Sequence, residues 1–521
     1  MDYLVPAWHT RLGNWAYGTP NLNFDDIVSV AGLLSSGNIN YGLVITDYLP
    51  QLSTRLANIA ITPQKVLNVF DGLQGITQVD NQTLDYADFD WPAGALFEFT
   101  PFHLIVRQGT KCYANVIFDM EGKINWIEYF DENERHTKTL LMDSRGFVSR
   151  VEYYDENNQQ VKDSFLNQSG EWRFNYFPQN DTVDINPLFA EEFAQLHYDH
   201  LNDLIAEVVE QHFLNRLTNK DRLIITVDDQ SRFPQTKYAE FQTVFSASKW
   251  HPFEQSLRSL AQLSDITLVT DTQFTGERAQ EIMHTPQHPV AIPLYQALFQ
   301  LGHSQRISGQ RIYLFIDPLD EEQVASLGAI ILDQLIQHPK RDELHLLSYG
   351  GGREKAEHFT KLVQQRHHGR LWVKGHEPKK KVENEGIEDD PRKKEKVLPT
   401  ITIKYEEYSD TPSLMKALDK ARLLIDGGEH PDDLLQMAAV SIGIPVLQRI
   451  ETAEIRDQQN GRICQDRLDL KAGLQYYLDD INHWNAALAN DVQIMNQYSA
   501  DKLLQMWQAV WQDQTKGNGK E

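Results

Sequence analysis

The spacing of apolar residues along the chain changes several times, and each change predicts a different kind of element. At the start, short apolar runs alternate with helical spacing. Residues 3–6 read as a strand, 25–34 as a helix, 43–46 as a buried strand and 51–57 as a second helix. This alternation predicts a parallel sheet with helices packed on its faces. From about Phe97 to Asn186 the period falls to two. Gly122, Gly146 and Gly170 are spaced by 24 residues, as are Tyr129, Tyr153 and Phe177, and Asp131-Glu132 recurs as Asp155-Glu156. The repeated unit, a strand, a D-E-N turn and a returning strand, predicts an antiparallel meander of hairpins. Adjacent strand residues point to opposite faces, so Tyr153 and Tyr154 cannot both be inward. Of Tyr129, Phe130, Tyr153, Tyr154, Trp172 and Phe174, some fill the inner face and one row is expected to be an accessible docking surface for protein or carbohydrate.

Helical spacing returns over 187–217, with Phe193, Leu196, Leu201, Leu204, Ile205, Val208, Val209 and Phe213 in its apolar stripe. Residues 223–227 read as a central strand, and 244–246, 267–270 and 290–292 as further strands. A second α/β pattern begins near Pro293. Its strands are expected at 311–317, 345–349, 401–405 and 421–426, and its helices at 321–337, from Arg353 to about Gln364 and over 413–420. After residue 426 the pair Gly427-Gly428 makes a permissive turn, and Pro431 suits the first position of a helix that Gly443 stops. Pro445, Val446 and Leu447 open the next strand. Helices are expected at 471–478, 484–496 and 500–511, with 516–521 frayed.

Length adds that 521 residues exceed one ordinary core and divide into two or three domains. The formal charge of −25 argues against a nucleic-acid binder. Cys112 and Cys464 are the only cysteines and form no C-x-x-C pair, so neither a disulfide framework nor a zinc site is expected, and the compartment is read as a reducing cytoplasm. The first residues, MDYLVPAWHTRLGNW, lack the basic start and long apolar run of a secretion signal. No stretch of about 18 apolar residues is present to span a bilayer, so membrane contact is expected only through partners, at the inner face. At 375–398, 14 of 24 residues are charged, seven of each sign, which reads as a solvated insertion.

Candidate chemistry is sparse. His9 lies in the loop with Trp8, Gly13, Trp15 and Gly18, and is either a base or a solvated or packed side chain. His197 and His200 lie three apart on the expected long helix, but no third ligand is near, so no metal is assigned. Gly350-Gly351-Gly352 joins a strand to a helix, a turn that can cradle phosphate or simply allow tight packing. Its spacing matches neither a P-loop nor a dinucleotide fingerprint.

The stretch 421–449, ARLLIDGGEHPDDLLQMAAVSIGIPVLQR, resembles the donor-binding segment of GT-B glycosyltransferases, roughly E-G-F-G-L-x-L-x-E-A-x-x-x-G-x-P-V. Gly443-Ile444-Pro445-Val446 matches its end. Counting back places the family's two acids at His430 and Ala438, neither acidic, and a methyl group at 438 cannot accept a sugar hydroxyl. Asp432 and Asp433 are expected in the first helical turn. They either balance the helix dipole or oppose a diphosphate by roughly 3 kcal/mol at about 5 Å and an effective dielectric near 20. The expected remnant of a donor pocket is Gly350, Gly351, Gly428, His430 and Ala438, with no catalytic residue and no cofactor.

Further motifs narrow the resemblance. VPAW at 5–8, FDGLQ at 70–74, DWPAGALFEFTPF at 90–102, LGHSQ at 301–305, RIYLFIDPL at 311–319, NGRI at 460–463 and YSADKLLQMW at 498–507 together resemble the first of the Asp proteins of the bacterial accessory Sec pathway. The resemblance implies a GT-B-like α/β protein of two Rossmann-like domains with a β-meander insertion in the first. The first domain would comprise 1–96 and 187–292 around the insertion at 97–186, the second 293–490, and the terminal helix at 491–521 would pack back on the first. It further implies a protein without transferase activity, acting with its sibling Asp proteins and the accessory SecA motor to export serine-rich glycosylated adhesins. An active transferase using a UDP-sugar on serine-rich acceptors is the alternative, and a carbohydrate-binding module is a third.

Overall fold

Asp2–Val5, the first strand, lies between Arg222–Thr226 and Tyr41–Ile45 and pairs with both in parallel. In this computed structural model the described residues are all but 10–24, 78–81, 102, 120, 232–234, 264, 286–288, 308, 369, 375–397, 409 and 518–521. They form two units, Met1–Ile292 with Met506–Glu521, and Pro293–Gln505.

In the first unit the parallel sheet has seven strands among the described residues. Their order is Val290–Ala291, Thr267–Thr270, Gln242–Ala247, Arg222–Thr226, Asp2–Val5, Tyr41–Ile45 and Lys65–Asn68. Arg222–Thr226 is the middle strand, as its unbroken apolar run predicts, and Leu223, Ile224 and Ile225 are all buried. The flanking helix Asp26–Ser36 starts where Asp25 accepts the N–H of Val28, a side-chain cap on an otherwise unpaired donor.

The second sheet of this unit is antiparallel. It runs in simple chain order from Leu96–Phe99 at one edge to His197–Tyr198 at the other. The 24-residue repeat marks its turns. Gly122, Gly146 and Gly170 all adopt positive φ, at 82°, 94° and 81°, where a β-carbon is disfavoured. Asp131 and Asp155 each accept two backbone N–H groups of their own turns.

The meander is fastened by residues that also build the parallel sheet's helices. Tyr48 and Ser149 share a 2.6 Å hydrogen bond, and the Gln74 amide donates to the carbonyls of Ser149 and Leu166. Arg145 is bidentate to Asp71 and to Asp143. Tyr48, Phe70, Phe165 and Phe174 close the seam, with Phe165 and Phe174 stacked at 4.4 Å.

Gly146 gives a direct test of this attachment. A β-carbon there would lie 2.0 Å from the carbonyl oxygen of Gln82, whereas one on Gly170 would meet nothing within 4 Å. Gly170→Ala is therefore expected to cost about 1–2 kcal/mol, the left-handed backbone alone. Gly146→Ala should cost at least about 1 kcal/mol more, because two backbones must separate. Urea midpoints of the two variants compared with the unmodified chain check this.

Two expectations are corrected here. The stretch 187–217 is not one helix, because Asn186 caps a short 3-10 turn at Pro187–Glu192 and His197–Tyr198 joins the sheet as its edge strand, leaving Leu201–His212 as the α-helix, followed by a 3-10 turn at Leu214–Arg216. Nor do the meander aromatics form a flat accessible row. Tyr129 and Phe174 are buried, and Phe130, Tyr153, Tyr154 and Trp172 are half-buried. The Tyr154 hydroxyl donates to Glu152 and its ring lies on His136, while the Lys162 ammonium sits over Tyr153. The accessible apolar residues of this sheet are instead Leu96, Phe97 and Phe99 on its edge strand.

The second unit has a parallel sheet of seven strands among the described residues. The order is Trp372–Val373, Thr400–Glu407, Asp342–Ser348, Gln310–Phe315, Ala421–Asp426, Val446–Gln448 and Gly461–Ile463. Helix Glu321–Gln337 begins with a capping box between Asp320 and Gln323. The charged insertion read at 375–398 lies, but for its last residue, outside the described residues. The terminal helix spans Ala500–Gly517, so the part of 516–521 that is described continues the helix, and the remainder lies outside.

Candidate functional site

In the second unit the chain reverses its order of adding strands between Gln310–Phe315 and Ala421–Asp426. In open α/β sheets the crevice outside the carboxyl ends at such a point is the usual ligand site. Three loops meet there, at Asp317, at Ser348 to Gly352 and at Asp426 to Asp432. They are tied together by Tyr349, whose N–H donates to Asp317 (2.7 Å) and whose hydroxyl donates to Asp432 (2.8 Å). Burial beside Asp432 pushes the Tyr349 hydroxyl well above its ordinary pKa, so it stays a donor.

An anion site at these loops needs free backbone N–H groups, and several of them already have acceptors. Ser348 Oγ accepts from Gly350 (3.0 Å) and Gly352 (3.2 Å). Asp426 accepts from Gly428 (3.1 Å) and, with its other oxygen, from Asp432 (2.7 Å). Asp432 accepts from Leu435 (2.9 Å). Lys355, in the first turn of the helix after the glycines, donates to the carbonyls of Ile316 and Asp317. These loops therefore satisfy several of their N–H groups with their own side-chain oxygens.

Gly350 and Gly351 are exposed at the tip of one loop, and Gly428 is buried in another. The Tyr349–Asp432 bond brings these loops together. His430 is exposed, and Ala438 is 3% exposed on helix Asp433–Ile442, whose residues from Leu434 onward are all buried. Pro431 is not the first helical residue. Asp432 is the cap and Asp433 the first helical position, because the Asp432 side chain can satisfy the N–H of Leu435 only from outside the helix. Asp432 therefore acts as a cap rather than as a second first-turn charge.

The first unit holds a titratable cluster that the sequence did not reveal. It sits at the carboxyl ends of the central strands. His251 Nδ1 donates to Asp228 (3.0 Å), and its Nε2 lies 3.3 Å from Asp25 and 3.6 Å from Asp26. Thr226 Oγ1 donates to Asp26. His9 is 3% exposed with its Nε2 3.7 Å from Asp228, so it is packed against an acid rather than solvated; Gly13, Trp15 and Gly18 lie outside the described residues. Burial favours a neutral His251, but the surrounding carboxylates prevail and hold its pKa well above the ordinary value. Burial likewise raises Asp228, yet the hydrogen bond from His251, with His9 close by, holds it well below the carboxylate range.

Asp25, Asp26 and His251 are the group among the described residues whose ligand atoms come within 4.8 Å of one another. With His251 protonated, the ring itself is the cation these carboxylates surround. Position alone hid the cluster, since Asp25 and His251 are 226 residues apart. His197 and His200 do not share a helix face. His197 is in the edge strand beside Asp184, and His200 precedes the helix beside Asp181.

Two α/β units, one carrying an antiparallel meander, define a GT-B glycosyltransferase-like protein, and comparison with solved structures agrees. The pneumococcal O-GlcNAc transferase GtfA, solved with UDP and GlcNAc, superposes with a TM-score of 0.67 at 14% identity, covering 99% of each chain. A structure of accessory secretory proteins 1, 2 and 3 from Streptococcus pneumoniae gives a TM-score of 0.74 at 22% identity, covering 99% of this chain and 100% of that one. The family model for the first Asp protein of the accessory Sec system matches residues 5–514, and the chain belongs to that family. It is 26% identical to the family's member in Streptococcus gordonii over 98% of both chains.

Proposed function

We propose that this accessory Sec protein works without catalysis, as a cytoplasmic scaffold that assembles with other Asp proteins and the accessory SecA motor to export serine-rich glycosylated adhesins. The observation that supports the non-catalytic reading is the hydrogen bonding of the crevice, where Ser348, Asp426 and Asp432 accept several loop N–H groups that could otherwise meet an anion. Gly350, Gly351, Gly428, His430 and Ala438 are on this reading the outline of a donor pocket without its ligands. Assembly is supported by the pneumococcal relative, whose structure is of accessory secretory proteins 1, 2 and 3 together. No helix among the described residues is long and apolar enough to cross a membrane, in keeping with contact through partners.

The second reading, a transferase using a UDP-sugar, is favoured by the likeness to GtfA. Two measurements separate them. Affinity purification of the full chain from its own cell should bring down the other Asp proteins and the accessory SecA motor. Calorimetric titration with UDP-GlcNAc should give no saturable heat in the micromolar range. Micromolar donor binding moves the chain to the enzyme reading.

A further inference from the structure

In the first unit three donor atoms converge beside the central strands. His251 Nε2 lies 3.3 Å from Asp25 Oδ2 and 3.6 Å from Asp26 Oδ1, and one ligand atom from each residue falls within 4.8 Å of the other two. A charged N–H donor settles about 2.7–2.9 Å from a carboxylate, and on the far side of the same ring Nδ1 reaches Asp228 at 3.0 Å. The wider spacing around Nε2 is that of a coordination shell. An ion equidistant from three atoms so placed stands ~2.0–2.4 Å from each, the length of metal–nitrogen and metal–oxygen bonds. Such an ion sits between its ligands and needs no larger cavity.

Each donor is held from behind. Asp25 uses its other oxygen, Oδ1, to accept the N–H of Val28 (3.0 Å) at the start of helix Asp26–Ser36. The Thr226 hydroxyl lies 2.9 and 3.0 Å from the two oxygens of Asp26, and Asp228 accepts from Nδ1 of His251. Metal-binding side chains carry this kind of outer support, above all a carboxylate on the far nitrogen of the histidine.

The cluster is also short of positive charge. Asp25, Asp26 and Asp228 surround one imidazole, and no lysine or arginine among the described residues pairs with them. His9 is a second, independent sign. It is 3% exposed with Nε2 3.7 Å from Asp228, and neither ring nitrogen has a hydrogen-bond partner among the described residues. A buried imidazole in that condition is uncommon. The strand order reverses between Asp2–Val5 and Arg222–Thr226, which lead into His9 and Asp228, and at such a reversal open α/β sheets bind ligands.

We propose that Asp25 Oδ2, Asp26 Oδ1 and His251 Nε2 bind one divalent zinc-type ion, with a water as the fourth ligand. Three protein donors, one of them an imidazole, suit four-coordinate zinc, whereas magnesium and calcium take six or more ligands, mostly oxygen. The imidazolium described above is the metal-free form, and the ion displaces its Nε2 proton to solvent. The low cysteine count argues against a thiolate site and does not bear on this one. The ion clamps the start of helix Asp26–Ser36 to the loop after strand Gln242–Ala247. None of this depends on the scaffold reading.

The test uses the full chain, stripped with a chelator and dialysed. Calorimetric titration with zinc chloride should show one site of micromolar affinity or tighter, magnesium chloride should show none, and one equivalent of zinc should raise the melting temperature by several degrees. Asp25→Asn is the deciding variant. Asparagine caps a helix as well as aspartate does, and with Oδ1 still on Val28 it turns its NH2 toward the ion, so the fold should hold while zinc affinity falls at least tenfold. Asp228→Asn, which touches no proposed ligand, should weaken zinc about tenfold and serves where Asp25→Asn does not fold. Equal zinc affinity in the parent and these variants means binding by surface histidines and overturns the site. So does a stripped parent chain with no saturable zinc site, or one that binds magnesium as tightly.

Discussion

Replacing His251 with leucine is expected to destabilise the first unit by ~3–5 kcal/mol, the cost of leaving buried charge without its counter-ion. Asp25, Asp26 and Asp228 surround the ring, and their side chains are 9%, 0% and 0% exposed. Leucine keeps the volume and removes the imidazolium, so three carboxylates are left facing one another. Adding Asp228→Asn should recover part of the loss, because one orphaned charge is gone; the two changes share an interaction and will not add. The pH dependence follows from the direction of the shift. Since the folded pKa of His251 is raised, its contribution is fully present below the ordinary histidine value of about 6.5 and is lost as pH rises through the folded pKa. Urea unfolding of parent and variant should therefore differ most in mildly acid solution and converge in alkali. A difference below about 1 kcal/mol at pH 6 would mean that water, not His251, compensates these carboxylates.

Ala438→Glu, which restores the acid of the GT-B pattern, is expected to fail twice. First, Ala438 is 3% exposed on a helix whose remaining residues from Leu434 to Ile442 are also buried. A carboxyl placed there must ionise without a partner or titrate, at ~3–5 kcal/mol, or a fall of about 10 °C in melting temperature for a unit of this size. Second, no donor binding should appear, because Ser348, Asp426 and Asp432 still hold the loop N–H groups. Differential scanning calorimetry checks the first expectation and titration with UDP-GlcNAc the second. Tight donor binding by this single variant would show that the loop hydrogen bonds yield readily to a diphosphate.

Much of the fold is local and legible in the chain. The strand at Ala421–Asp426, the helix at Glu321–Gln337 and the strand at Thr267–Thr270 fall on the residues their periodicity marks, because the side that must be buried repeats at the element's own pitch. The 24-residue glycine spacing locates the meander turns for a similar reason, since positive φ restricts which residue can stand there. The stretch 187–217 misleads because Phe193 and Tyr198 pack from a short turn and an edge strand, and Leu196 between them is exposed. Spacing alone does not distinguish these from a helical stripe. The aromatic row misleads because alternation gives the face of a side chain but not what lies over it, here Lys162 and His136 from neighbouring strands.

The candidate site is legible only as an absence. The non-acidic residues at His430 and Ala438 can be read from the chain, and so can the acids of the loop. That Asp426 and Ser348 turn inward to accept their own loops' N–H groups cannot be, because a side chain's partner depends on the backbone path around it.

The sequence by itself determined most element types, the meander's turn positions and the family, all of which rest on short-range pattern and on the order of motifs. The tertiary structure alone decided what the polar residues do. Asp25 and His251, or Tyr349 and Asp432, meet only after distant segments fold together, and charge and hydrogen bonding act over a few ångströms whatever the separation along the chain.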